Sequence, residues 1–332
     1  MKRVLAFVSG LLIVAALILS AWGIHFANSP LPLPTSNATF EFTVRPGATL
    51  KTVARQLAEA GLLPDTQSLW LLGRVTQSTG IQAGTYRLDK PSTPLELLRK
   101  LVDGDVVPVT VTFVEGITYA EMRRQLESTS GVKVTLAGLS DTEVLKRIGA
   151  SETHPEGLFF PDTYQFAAGI SDLELLRKSY QAMQKKLATA WAKRDADLPY
   201  KNAYEALIMA SIIEKETGRA DERPLIGSVF VNRLRIPMRL QTDPTVIYGM
   251  GRNYDGNIRK RDLSTDTPYN TYTRDGLPPT PIAMPGAGSL LGALNPAKSD
   301  KLYFVAKGDG SHYFSRSLDE HNRAVAKFQL RQ

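Results

Sequence analysis

The sequence contains no cysteine. That excludes disulfide staples and thiolate metal sites, and it is compatible with an oxidising compartment. Histidine is nearly as scarce. The four present, His25, His154, His312 and His321, show no H-x-x-x-H or comparable spacing, so neither a metal nor a cofactor is expected. Dense runs of lysine or arginine are also missing. The net charge of +7 is spread along the chain, which argues against a nucleic-acid groove and equally suits a membrane surface, an anionic polymer or simple solubility. At 332 residues, with 43% apolar and 22% charged side chains, the chain can build two domains, or one large and one small.

One more absence is local. From Val4 to Ala27 only His25 can carry a charge, and this run follows directly on Lys2 and Arg3. About 20 apolar residues cross a hydrocarbon core of roughly 30 Å. A cleaved signal peptide would have an apolar core of only about 7–15 residues and a small-x-small cleavage site. Here the run is longer, and a cut near Ser20-Ala21 would place bulky Leu19 at −3. Trp22 stands where an interfacial aromatic belongs. The segment 1–27 therefore reads as a cytoplasmic tip and uncleaved transmembrane anchor. Lys2 and Arg3 hold the N-terminus in the cytoplasm, and the rest of the chain is expected outside the inner membrane.

The proline-rich stretch 28–39 (NSPLPLPTSNAT) reads as a semi-extended tether. A small module follows over 40–106. FEFTV alternates like a strand, Thr49 caps a helix bearing Leu50, Val53, Ala54 and Leu57, and SLWLLGRV is a second helix before the strand-like IQAGTYRL. A capping box, Thr93 with Glu96 and Pro94 at N1, opens a helix that Gly104 closes. VRPGATLKTVARQL and VEGITYAEMRRQL share a strand–turn–helix pattern, which fits two ordinary helix starts as well as a duplication. The remainder, 107–332, reads as one larger α+β domain. Its helices span about 171–194, 201–217, 222–234 and 318–330, and LYFVAKGDGSHYF forms a hairpin.

The chemistry concentrates in AYEALIMASIIEKET. At about 100° per residue, Glu216 stands over Ile212 and Met209, and Glu214 over Ala210 and Leu207. Both faces are apolar, so the helix is buried nearly all round, with its carboxylates at the C-terminal end. Burial and the negative end of the helix dipole each push a carboxyl pKa up, as a general acid near neutral pH requires. The plainer alternative is that one or both pair with Lys215, Arg219 or Arg223. Being i and i+2, the two glutamates point apart and cannot face each other across one substrate.

Downstream, SVFVNRLRIPMRLQTDPTVIYGMG and PYNTYTRDGLPPTPIAMPGAGSL crowd amides, carboxylates and tyrosines together. That mixture suits a sugar polymer, whose hydroxyls take bidentate hydrogen bonds and whose ring faces stack on aromatics. Asn232, Gln241, Asp243, Tyr269 and Asn270 are the candidate sugar-binding residues, each with a structural alternative as a cap or loop brace.

ASIIEKET, NRLRIPMRLQTDPTVIYGMG, YNTY and GLPPTPIAMPG together resemble the membrane-anchored endolytic murein transglycosylases. EGLFFPDTYQF and the terminal SHYF…EHN pattern are similar to that family too. The resemblance runs from the anchor through nearly all of the larger domain. It implies a LysM-like module over 40–106 beside a lysozyme-like or transglycosylase-like catalytic domain over 107–332. It implies Glu216, the second glutamate of E-K-E-T, as catalytic acid, with Glu214 supporting it and Thr217 in the place of the hydroxyl residue that follows the acid in other lytic transglycosylases. The implied reaction is cleavage within nascent peptidoglycan strands, at the bond between N-acetylmuramic acid and N-acetylglucosamine, leaving 1,6-anhydro ends and terminating elongation. Penicillin-binding protein synthases are the implied partners, and no nucleic acid is. A muramidase using water, and a non-catalytic cell-wall scaffold, are the competing readings.

Overall fold

The computed structural model describes residues 2–33 and 39–330. Of the expected tether 28–39, residues 34–38 lie outside the described residues. The chain is a mixed α+β protein whose described strands pair only in twos. It divides into two compact units. One comprises Met1–Thr110 with Ser130–Lys133 and Gln165–Ile170; the other comprises Val111–Thr129, Val134–Tyr164 and Ser171–Gln332.

The first unit opens with helix α1, Lys2–Asn28. Its segment Ser9–Asn28 is long and apolar enough to cross a membrane, with a mean hydropathy of 2.1, and only a small part of it is buried. Strand β1 (Phe40–Val44) pairs antiparallel with β2 (Gly84–Leu88), Phe42 opposite Tyr86 with ring centroids 5.5 Å apart. Between them lie α2 (Leu50–Glu59) and α3 (Thr66–Val75), and α4 (Pro94–Asp103) follows. The helix starts follow from local chemistry. Thr49 accepts from the Thr52 N–H, Asp65 from those of Gln67 and Ser68, and Thr93 and Glu96 form a reciprocal capping box. Leu50, Val53, Ala54 and Leu57 then face the core with Val44, Leu97 and Leu101. The Tyr86 hydroxyl donates to the Leu101 carbonyl, so the buried ring leaves no unpaired polar group.

The chain continues through β3 (Val109–Thr112), α5 (Tyr119–Ser128), β4 (Val132–Lys133), α6 (Asp141–Ile148), β5 (Thr163–Phe166) and β6 (Ile170–Ser171). Helices α5, α6 and α7 (Asp172–Ala192) each begin in a capping box: Thr118 with Glu121, Ser140 with Glu143, Ser171 with Glu174. The second unit is organised round α8 (Ala203–Glu216), where every residue from Ala206 to Ile213 is buried. Against it pack α7, α9 (Arg223–Arg235), α10 (Asp243–Met250) and α12 (Ala287–Leu294). The short α11 (Lys260–Ser264) lies between the last two in sequence. A side chain at Gly227 would meet the Gly292 carbonyl oxygen at 2.1 Å, so α9 and α12 approach backbone to backbone. The hairpin β7 (Tyr303–Ala306) and β8 (His312–Ser315) pairs as the GDG turn predicts, and α13 (Leu318–Phe328) ends the described chain.

Candidate active site

The two glutamates at the end of α8 have opposite fates. Glu214 turns into the protein. One of its oxygens accepts from Arg223 at 3.1 Å and the other from the Gly286 N–H at 2.8 Å, while Arg223 also reaches Glu115 at 3.0 Å. The nest is tight: a Cβ on Gly286 would lie 1.7 Å from Glu115, and one on Gly288 2.4 Å from Arg223. The small residues of MPGAG are what allow the loop to close over this ion pair.

Glu216 turns the other way, into a cavity of about 470 Å³. Among the described residues no cation lies within salt-bridge distance of it. Burial raises its pKa to about 7. Nearby Asp243 adds to the rise, while the Thr242 hydrogen bond and the more distant charges of His312 and Arg233 oppose it. The ion-pair alternative therefore describes Glu214 and not Glu216.

The Thr242 hydroxyl donates to Glu216. It is held there by a buried set of threonines. The Thr242 N–H donates to Thr271 Oγ1 at 3.0 Å, the Thr245 hydroxyl to the Thr242 carbonyl at 2.7 Å, and the hydroxyls of Thr245 and Thr271 lie 2.9 Å apart. The motifs QTDPT and YNTY thus interlock through their threonines. Between them Gln241 is forced to φ 49, the left-handed region that a residue with a Cβ seldom occupies. Such local strain persists only where surrounding bonds over-determine it, here the Gln241 N–H to the Thr271 carbonyl and the threonine set beyond.

Gln241 and Asp243 line the Glu216 cavity, with Tyr272, Tyr303, Arg233, His312 and His321. Tyr272 donates to Asp243 at 2.6 Å. Arg233 is buried and spends its guanidinium on the carbonyls of Leu302 (2.7 Å) and Leu240 (2.6 Å), and it lies over the Tyr303 ring. Burial lowers its pKa. His312 binds Glu222 through Nδ1 at 2.7 Å. His321 stacks on Tyr303, and burial followed by the Arg233 charge lowers its pKa. Its Nδ1 is buried without a hydrogen-bond partner among the described residues. A polar, aromatic-walled pocket next to a protonatable carboxyl can bind sugar rings by stacking and deliver a proton to a bridging oxygen. No group of three or more histidine and carboxylate side chains among the described residues could hold a metal ion.

Several expected residues stand elsewhere. Asn232 donates to the carbonyls of Ser299 and Lys301. Asn270 is fully buried and donates to those of Asp262, Leu263 and Thr265, bracing the YNTY loop. The Tyr269 hydroxyl meets Thr280 at 2.8 Å. Thr217 accepts from the Arg219 N–H in the turn after α8. None of these four side chains lines the Glu216 cavity. Conversely Tyr272, Arg233, His312 and His321 line the cavity and Thr242 bonds Glu216, none of them a candidate from the sequence. The only sequence signal for the histidines was the SHYF…EHN pattern.

Another buried carboxyl lies in EGLFFPDTYQF. Glu156 accepts from the Tyr119 N–H at 2.9 Å and meets the Tyr248 hydroxyl of α10 at 3.1 Å. Burial raises its pKa to about 7. The folded chain therefore holds this proton to higher pH than the unfolded chain does. Its contribution to stability is full below about pH 4.5 and is lost as pH rises through about 7, on the order of 3 kcal/mol in all. Glu156→Gln imitates the protonated form. It should flatten that share of the stability decline between about pH 4.5 and pH 7, with the share from Glu216 remaining. Unfolding midpoints measured across the range test this, and an unchanged slope in the variant would contradict the assignment.

The sequence profile of the YceG-like family matches residues 42–327. A Bacillus subtilis (strain 168) protein named endolytic murein transglycosylase is 31% identical over 310 residues, spanning 88% of this chain and 86% of its own length. A protein of the same name from Streptococcus pneumoniae serotype 2 is 28% identical, spanning 98% of this chain and 66% of its own length. The crystal structure of a yceG-like protein from Listeria monocytogenes superposes with a TM-score of 0.55 at 30% identity, covering 86% of this chain and 98% of that one.

Proposed function

From its membership of the YceG-like family, we propose that the chain is an endolytic murein transglycosylase, a carbon–oxygen lyase acting on peptidoglycan. The observation that carries this reading is Glu216, whose pKa is raised to about 7 at the wall of a sugar-sized polar cavity with no cation paired to it among the described residues. At an ordinary value of 4.5 only about one such group in 300 would hold its proton at pH 7; raised to about 7, roughly half do.

In this reading Glu216 gives its proton to the oxygen between N-acetylmuramic acid and N-acetylglucosamine. The bond from that oxygen to C1 breaks, and the substrate's own N-acetyl oxygen meets the positive charge growing at C1. The Glu216 carboxylate then takes the proton of the C6 hydroxyl, whose oxygen closes on C1 as a 1,6-anhydro ring. No water is consumed and Glu216 ends as it began. High effective molarity favours the tethered hydroxyl over water while the ring is held in shape. Thr242 orients the carboxyl, and Gln241, Asp243, Tyr272 and the rings of Tyr303 and His321 are positioned to hold the flanking sugars.

The proposed organisation is an anchor over 1–27, a tether over 28–39, a LysM-like module over 40–106 and a transglycosylase-like catalytic domain over 107–332. The chain would cross the bacterial inner membrane once, N-terminus inside, with catalysis in the periplasm. There it would cut nascent strands beside penicillin-binding protein synthases and so end their elongation.

Asp243 favours a second reading. It is a carboxylate on the same cavity, and a muramidase would use such a group to activate water. Mass spectrometry of glycan digested by the purified protein decides. Anhydro-muramyl ends are expected, reducing ends would establish hydrolysis, and no cleavage of uncrosslinked strands would leave a scaffold.

A further inference from the structure

The first unit carries an apolar surface that its own core does not use. Helix α3 buries Ser68, Leu69 and Gly73 and turns Leu71 and Val75, four residues apart, outward at 49% and 73% exposure. Beside this stripe Trp70 is also exposed, with the Arg74 guanidinium 5.6 Å from its ring. An apolar stripe flanked by tryptophan and arginine is the composition of a helix that lies in a membrane interface, the ring at headgroup level and the cation at phosphate.

Its position within the unit identifies the occupant. Helix α3 packs against α1, and the two enclose a cavity of about 550 Å³ between Leu19, Trp22 and Phe26 on one side and Leu71, Leu72 and Val75 on the other. The end of α1 is fixed to the module: Ala27 and Leu31 are buried, and Leu31 pairs with Ser92. At 1.5 Å per residue the 27 residues of α1 span roughly 40 Å, against a hydrocarbon core of about 30 Å. With Lys2 and Arg3 at one face, the core ends near Gly23, and the last turn of α1 lies among the headgroups. The segment facing α3 straddles that boundary. The exposed apolar surface of α1, from Leu11 to Leu19, therefore meets α3 across a cavity whose lining is apolar but for Ser20, Asn28 and Ser68.

We infer that α3 is a membrane-surface helix. Leu71 and Val75 enter the outer leaflet of the bilayer that α1 crosses, and lipid chains fill the α1–α3 cavity. The inference rests on the reading of α1 as a membrane anchor and adds a second, independent point of contact.

The absence of cysteine makes the test clean. Leu71→Cys and Val75→Cys, with Ile13→Cys inside the span and Lys51→Cys on exposed α2, are each labelled with a nitroxide in the full chain. The chain is then reconstituted in phosphatidylethanolamine–phosphatidylglycerol vesicles. Accessibility to oxygen, which concentrates in lipid, is compared with accessibility to a water-soluble nickel chelate. Positions 71 and 75 are expected to favour oxygen like position 13, at shallower depth, while position 51 favours nickel. Nickel-accessible labels at 71 and 75 with a lipid-exposed position 13 would overturn the inference and leave the anchor standing. Labels at 71 and 75 shielded from both reagents would overturn it in favour of a protein partner. A nickel-accessible position 13 would overturn the anchor and the inference together.

Discussion

Glu216→Gln is expected to keep the fold and lower the rate of strand cleavage by roughly 10²–10⁴-fold or more. The fold survives because the amide has the shape of the protonated carboxyl and still accepts from the Thr242 hydroxyl. The rate falls because an amide cannot release a proton to the leaving oxygen. The pH dependence supplies the sign. The wild-type acid works protonated, so activity should fall as pH rises through about 7, by about tenfold per unit beyond it. Stability follows the same proton. The folded chain holds it between about pH 4.5 and 7 while the unfolded chain does not, so this stabilising share is full below about 4.5 and lost as pH rises through about 7. The glutamine variant should therefore be at least as stable as the parent above neutrality. Steady-state rates on peptidoglycan, with circular dichroism of the same samples, provide the check, and a folded glutamine variant of undiminished activity would remove Glu216 from the reaction.

How legible this site was in the sequence depended on distance along the chain. Local rules placed α7, α8, α9 and α13 but not α6, α10, α11 or α12, the last three of which lie in or next to a proline- and glycine-rich stretch. The apolar run of α8 implied burial all round, and the box at Thr93 needs only residues three apart. Helical rotation also showed that Glu214 and Glu216 diverge. What periodicity could not show was which of them is neutralised, because Gly286 and Glu115 join that cluster from 72 and about 100 positions away. His312 and His321 reach the cavity through a hairpin and a terminal helix, and no spacing rule connects those to α8. Asn232 and Asn270 illustrate the converse. An amide bound to three backbone carbonyls and an amide waiting for a hydroxyl look alike in a sequence, since both are polar residues in a glycine- and proline-rich stretch.

Glu214→Ala should produce the opposite phenotype from Glu216→Gln: a large loss of stability with the acid chemistry intact. The Glu214 side chain is 5% exposed and Arg223 12%, so the pair is held away from water. Removing one member of a buried pair strands the other charge, at a cost of about 3–5 kcal/mol. The lower end is expected here, because Arg223 keeps Glu115, whose side chain is 43% exposed and so screened by solvent. The Gly286 N–H also loses its acceptor. Glu214→Gln, which retains an oxygen for that N–H and gives up only the charge, should cost less. In both variants activity should track the folded fraction, and the decline above about pH 7 should persist, because the group that sets it is Glu216. Chemical denaturation gives the stability order, and rates measured well below the melting temperature give the rest. If Glu214→Ala proved as stable as the parent and inactive at every pH, the roles of the two glutamates would have to be exchanged. The Arg223 contact would then be a catalytic ion pair and not a structural one.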